Sequence, residues 1–104
     1  MRFNTSLLHG SGENAGYGST QTPIYQVSAF AHESAEKLGR VFANRSPGFS
    51  YTRVGNPTVS RLEKLVNSLE GGIGSVSCSS GASAAAVSLL NIMRGGDEFI
   101  TGAG

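Results

Sequence analysis

Asn56-Pro57-Thr58-Val59-Ser60-Arg61-Leu62-Glu63-Lys64-Leu65-Val66-Asn67-Ser68-Leu69-Glu70-Gly71-Gly72 opens the stretch that sets the fold. Asn56 can accept a hydrogen bond from an orphan amide of a first helical turn, and Pro57 at the first helical position gives up no bond it would otherwise make. The spacing predicts a helix to about Leu69. Val59, Leu62, Val66 and Leu69 recur at intervals that place them on one face, while Arg61, Glu63, Lys64 and Asn67 face away. Gly71-Gly72 ends it. Beyond, residues 74–79 read as a short strand, and residues 81–93 as a helix burying Ala82, Ala85, Ala86, Leu89, Leu90 and Met93. Gly95-Gly96-Asp97 is a turn, and Glu98-Phe99-Ile100-Thr101 starts a further strand. The order helix, strand, helix, strand is the opening of an α/β domain with parallel strands. A lone parallel pair with one crossover cannot bury both its faces, so the first part of something larger is expected.

Working back towards the N-terminus, regular patterning fades. Residues 1–50 are rich in Gly, Ser, Asn and Thr and lack sustained apolar periodicity. Residues 10–22 read as irregular chain, with too little apolar surface to offset a backbone ordering cost of about 1–2 kcal/mol per residue. Such a segment is an arm that gains order by lying against something else. Within it, residues 24–30 pass for a short extended stretch after Pro23, and Ser34 caps a short helix to about Phe42 with Ala35, Leu38 and Phe42 on one side.

Composition narrows the function. The chain has 104 residues, eight Lys and Arg against seven Asp and Glu, and a net charge of +1, with basic residues scattered singly. One domain at most fits this length, and no electrostatic footprint for nucleic acid or an anionic membrane is present. The single Cys excludes an internal disulfide and any two-cysteine metal motif, and fits a reducing compartment. No apolar run approaches the roughly 20 residues of a membrane helix, and residues 1–10 lack a signal-peptide core. A cytoplasmic chain is expected.

Two places could hold an anion. At Ser79-Ser80-Gly81-Ala82-Ser83 a strand runs into a helix through small residues; the first amides of the helix lack partners there and the helix dipole favours negative charge. Plain packing explains small residues at such a junction equally. In Tyr51-Thr52-Arg53, Tyr51 and Arg53 point to the same side of an extended segment and could jointly grip one anion, or else be a solvated Arg beside an anchoring Tyr. Cys78 reads as a small core residue, His9 and His32 as surface residues without metal-ligand spacing, and Asp97 as a turn residue. No metal is expected.

Taken together, Tyr51-Thr52-Arg53-Val54-Gly55-Asn56-Pro57-Thr58, Leu69-Glu70-Gly71-Gly72, Ser79-Ser80-Gly81 and Arg94-Gly95-Gly96-Asp97-Glu98 resemble, in order and spacing, the pyridoxal-phosphate (PLP)-dependent enzymes of cysteine and methionine metabolism. That family includes cystathionine synthases and lyases, methionine gamma-lyase and O-acetylhomoserine sulfhydrylase. Pro23-Ile24-Tyr25-Gln26 also fits, and residues 41–53 look most like the O-acetylhomoserine sulfhydrylase branch, which makes homocysteine from an activated homoserine and sulfide.

The resemblance implies an α/β fold: an N-terminal extended arm, residues 1–55, reaching a neighbouring subunit, then residues 56–104 as the truncated start of a fold-type I PLP-transferase large domain. It implies that Tyr51 and Arg53 reach into the neighbour's active site to bind the cofactor phosphate, while Ser80, Gly81 and the amide of Ala82 bind phosphate within their own chain's domain. It implies pyridoxal 5'-phosphate as cofactor, an amino-acid substrate, and a homo-oligomer, a tetramer built from dimers, or a complementary C-terminal chain as partner. No catalytic residue is expected here: the Schiff-base Lys, the Asp facing the pyridine nitrogen and the ring-stacking Tyr would fall beyond Gly104, and Lys37 and Lys64 match nothing catalytic. The isolated chain is therefore expected to be inactive. The competing expectations are the cystathionine gamma-synthase or methionine gamma-lyase branch, or a non-catalytic remnant that associates with full-length subunits as an interaction module.

Overall fold

Capping side chains decide where three of the α-helices begin in a computed structural model that describes residues 2–9 and 16–102. The helices are α1 (Phe3–His9), α2 (Ala35–Phe42), α3 (Pro57–Glu70) and α4 (Gly81–Ile92). Ser34 Oγ accepts from the Lys37 amide at 3.2 Å, Asn56 Oδ1 from the Thr58 amide at 2.9 Å, and Ser80 Oγ from the Ser83 amide at 3.1 Å. Each cap satisfies one of the donors that a helix start leaves unpaired. Gly71 closes α3 in the left-handed conformation, φ 66°, at which a Cβ would be strained. Asp97 closes the turn after α4: its amide donates to Arg94 O at 3.0 Å and its carboxylate accepts from the Arg94 amide at 2.7 Å. These boundaries agree with the sequence.

Helix α1 was not expected. Leu7 and Leu8 line a groove against α3 with Leu62 and Leu65, so the helix packs on its own chain. A three-residue 3₁₀ turn, Gly16–Gly18, follows. Residues 10–15, part of the stretch read as irregular, lie outside the described residues.

The β half of the α/β expectation is not realised among the described residues. Residues 74–79 and 98–101, read as strands, run without a ladder, and residues 24–30 contribute one isolated antiparallel bridge, Ala29 with Tyr51. A strand exists only through its neighbours, and parallel strands need both faces covered. The run 74–79 turns instead to α3: Ser75 Oγ donates to Glu63 O at 2.5 Å, and the Ser77 amide and hydroxyl both donate to Glu63 Oε1 at 2.9 Å.

That contact changes the expected burial of α3. Of the face the spacing predicted, Val59, Leu62 and Val66 stay exposed and Leu69 is half-buried, while Glu63 and Asn67 on the polar side are half-covered as well. Ala82, Ala85, Ala86, Leu89 and Leu90 of α4 are likewise exposed, Met93 is half-buried, and Cys78 is exposed where a core position was expected. Val41 of α2 is the one buried apolar residue among those described. The Cα radius of gyration is 17.4 Å against about 13 Å for a closed domain of 100 residues. The helices therefore form an open layer whose apolar faces await cover.

Candidate functional site

Tyr51 and Arg53 come together, though by a different route from the one the sequence suggested. Residues 52–54 form a turn, not an extended run: the Val54 and Gly55 amides donate to Tyr51 O at 2.9 and 3.0 Å. The turn carries the Arg53 guanidinium over the Tyr51 ring, with Cζ 5.3 Å from the ring centroid. A guanidinium stacked on an aromatic face keeps its edge donors free for an anion. Both side chains are exposed.

A clasp around Asn56 fixes this turn. Asn56 Nδ2 donates to Tyr25 O at 2.8 Å and to Thr52 Oγ1 at 3.1 Å, and the Thr52 hydroxyl donates in turn to Val27 O. The Thr52 amide reaches Ser28 O at 2.8 Å. Thr58 stitches the same arm to α3: its hydroxyl donates to Pro23 O and accepts from the Tyr25 amide, both at 2.9 Å. Sequence reasoning saw Asn56 as a cap and missed its second role. His32, expected at the surface, is half-buried with Nε2 2.9 Å from Phe49 O, beside the Phe30 and Phe49 rings whose centroids lie 5.7 Å apart.

The second donor set stands at the start of α4. Ser80 Oγ is the cap acceptor, which leaves its O–H free to donate, and the amides of Gly81 and Ala82 find no partner among the described residues. A Cβ built on Gly81 would meet nothing within 4 Å, so this helix end is open to a ligand. The groups on offer are two amides, one hydroxyl, one phenol and one guanidinium. Every one of them donates, and that chemistry fits a phosphate.

The two sets do not meet within one chain's cavity. Arg53 lines a cavity of about 580 Å³ with Thr52, Asn56, Glu63 and Ser77, and its walls do not include Ser80, Gly81 or Ala82. No cluster of three or more potential metal ligands occurs among the described residues, and no described helix is long and apolar enough to cross a membrane.

An N-terminal segment clasped to a capped helix, followed by a second capped helix with open amides, thus offers phosphate-fitting donors at two places. The family profile described as Cys/Met metabolism PLP-dependent enzyme matches residues 4–103, and the chain belongs to that family. It is 38% identical over 100 residues to an L-methionine gamma-lyase of Porphyromonas gingivalis, covering 96% of this chain and 25% of that protein. It is 40% identical over 100 residues to an O-acetyl-L-homoserine sulfhydrylase of Corynebacterium glutamicum, covering 95% and 23%. Among solved structures, it superposes with TM-score 0.84 and 30% identity on a Campylobacter jejuni protein assigned as an O-acetylhomoserine (thiol)-lyase, over 93% of this chain and 24% of that one. The backbone is thus that of the N-terminal part of fold-type I enzymes of this family. The chain spans about a quarter of the length of the curated relatives it matches.

Proposed function

We propose that this chain is the N-terminal part of an enzyme that replaces the gamma substituent of O-acetyl-L-homoserine with sulfide to give L-homocysteine. The observation that carries the reading is that the two places the family resemblance gives to the cofactor phosphate each present hydrogen-bond donors, the Tyr51 phenol and Arg53 guanidinium at one and the Ser80 hydroxyl with the Gly81 and Ala82 amides at the other. Tyr51 and Arg53 hold that phosphate from one chain, and Ser80, Gly81 and Ala82 hold it from another. PLP supplies the electron sink for chemistry at the substrate's α, β and γ carbons. The residues of this chain bind and orient it; the lysine that carries the cofactor and the acid facing its ring nitrogen come from the other three quarters of the protein. The 104 residues alone are inactive.

A charge-assisted hydrogen bond contributes about 1.5–3 kcal/mol net, so two or three of them are enough to fix a phosphate. Separate contributions from two chains also make the oligomer a condition of cofactor binding. The partner is then a second copy of the chain in a homo-oligomer.

Methionine gamma-elimination is the second reading, favoured by the 38–40% identity to methionine gamma-lyases of Porphyromonas gingivalis and Treponema denticola. The discriminating experiment expresses the whole reading frame that contains this sequence and supplies O-acetyl-L-homoserine with sulfide, or L-methionine alone. Homocysteine from the first mixture supports the sulfhydrylase reading. Methanethiol from the second, without homocysteine from the first, overturns it.

A further inference from the structure

Asn56 does more than cap α3. Capping uses only its Oδ1, and Ser, Thr or Asp would cap as well. Its carboxamide also donates both hydrogens, to Tyr25 O and Thr52 Oγ1, and with 4% of its surface exposed it makes these bonds away from water. Asn alone among the good caps offers an acceptor and two donors at once. The donors run to the arm and to Thr52, the residue between Tyr51 and Arg53. Thr52 is held at both its amide and its hydroxyl by the arm carbonyls of Ser28 and Val27. Asn56 is therefore the buried side chain that ties the turn stacking Arg53 on Tyr51 to both the arm and α3, alongside the bonds of Thr52 to Ser28 O and Val27 O.

We propose that Asn56 is a positioning residue: acting through Thr52, it holds Tyr51 and Arg53 in the stacked arrangement that receives a phosphate. As a proposal about ligand binding it rests on the reading of that pair as a phosphate grip. Asn56→Asp keeps the cap, sets acceptor against acceptor at Tyr25 O, and offers the Thr52 hydroxyl a carboxylate acceptor that competes with Val27 O. Thr52→Val breaks the relay from the other side without touching α3, and Thr52→Ser restores it.

The test uses two readouts on the whole protein that contains this sequence, in its cofactor-free form. The first is the ring-current shift that the Tyr51 ring imposes on the Arg53 side-chain protons, which reports the stack with no ligand present. The second is the response of the Arg53 Nε–H signal to added inorganic phosphate. The expected result is loss of the ring-current shift in Asn56→Asp and Thr52→Val, with the phosphate concentration for half-response raised about tenfold and about threefold respectively, and recovery in Thr52→Ser. A purely structural role would lower the melting temperature and leave both readouts of the folded chain unchanged, and that outcome overturns the proposal. Absence of the ring-current shift in the unsubstituted chain overturns it too. If Arg53 ignores phosphate in the unsubstituted chain, the phosphate reading fails, and the positioning role is decided by the ring-current shift alone.

Discussion

Replacing Glu63 with Ala removes the hook that draws residues 75–77 onto α3. Two donors converge on one carboxylate oxygen, the Ser77 amide and hydroxyl, each at 2.9 Å. Hydrogen bonds to a charged group contribute about 1.5–3 kcal/mol each when sheltered, but Glu63 is only half-covered and water screens and replaces part of that. The pair together is worth about 1–2 kcal/mol of local stability. The Ser75 hydroxyl bond survives, because it uses the Glu63 backbone carbonyl. Glu63→Ala should therefore lower hydrogen-exchange protection of the Ser77 amide by a factor of about 5–30, which is that energy expressed as a population ratio. Glu63→Gln, which keeps a neutral acceptor oxygen, should lose less than half as much free energy. Unchanged exchange at Ser77 in Glu63→Ala would refute the claim that this carboxylate sets the path of the chain towards Ser80.

Other outcomes follow from single features. Glu36 titrates below the usual carboxylate range because its own backbone amide and the Ser34 hydroxyl bind the charged form. A depressed carboxyl stabilises the folded form above its unfolded value and ceases to as pH falls through the folded one. The first turn of α2 should fray through that acid window, and carboxyl-carbon NMR should find the Glu36 midpoint raised in Ser34→Ala; an ordinary midpoint in the unsubstituted chain contradicts this. Gly48→Ala should cost about 1–3 kcal/mol by urea unfolding, because φ is +149° and its Cβ would stand 3.2 Å from Cγ2 of the buried Val41. A loss below about 0.5 kcal/mol would show that the loop relaxes freely. Finally, Val59, Leu62, Val66, Val87, Leu89, Leu90 and Ile92 are each more than a third exposed, so the isolated chain should self-associate with rising concentration. A monomer by sedimentation with a sharp cooperative melt would contradict that.

What the sequence disclosed follows the range of the interactions. Ser34, Asn56-Pro57, Ser80 and Gly71 mark helix ends through bonds that span two to five residues, so the helix boundaries were legible without knowledge of the rest of the fold. The strands expected at residues 74–79 and 98–101 are absent among the described residues, because a strand depends on a partner and nothing pairs with these runs. Helix α1 depends on the α3 surface beneath Leu7 and Leu8, and no cap announces it. The grouping of Tyr51 with Arg53 was anticipated on the assumption of an extended segment, whereas a turn fixed from 25 and more residues away brings them together. Likewise the Glu63 hook depends on where the chain goes after Gly72, which no local pattern encodes. The donors at Ser80, Gly81 and Ala82 were legible as a helix start; the proposed pairing with Arg53 of another copy rests on the family resemblance and not on any local pattern.

The central claim is that one phosphate is held by donors from two chains. Its most direct test is complementation of binding, followed by the phosphorus resonance of pyridoxal phosphate. Arg53→Ala removes the guanidinium from one donor set, and Gly81→Pro, which a first helical position accepts, removes an amide from the other. The account predicts that each variant alone leaves the resonance unperturbed and that an equimolar mixture regains part of the perturbation seen with the unsubstituted chain, because a mixed pair retains one intact site. A mixture that binds no better than either variant alone would contradict it.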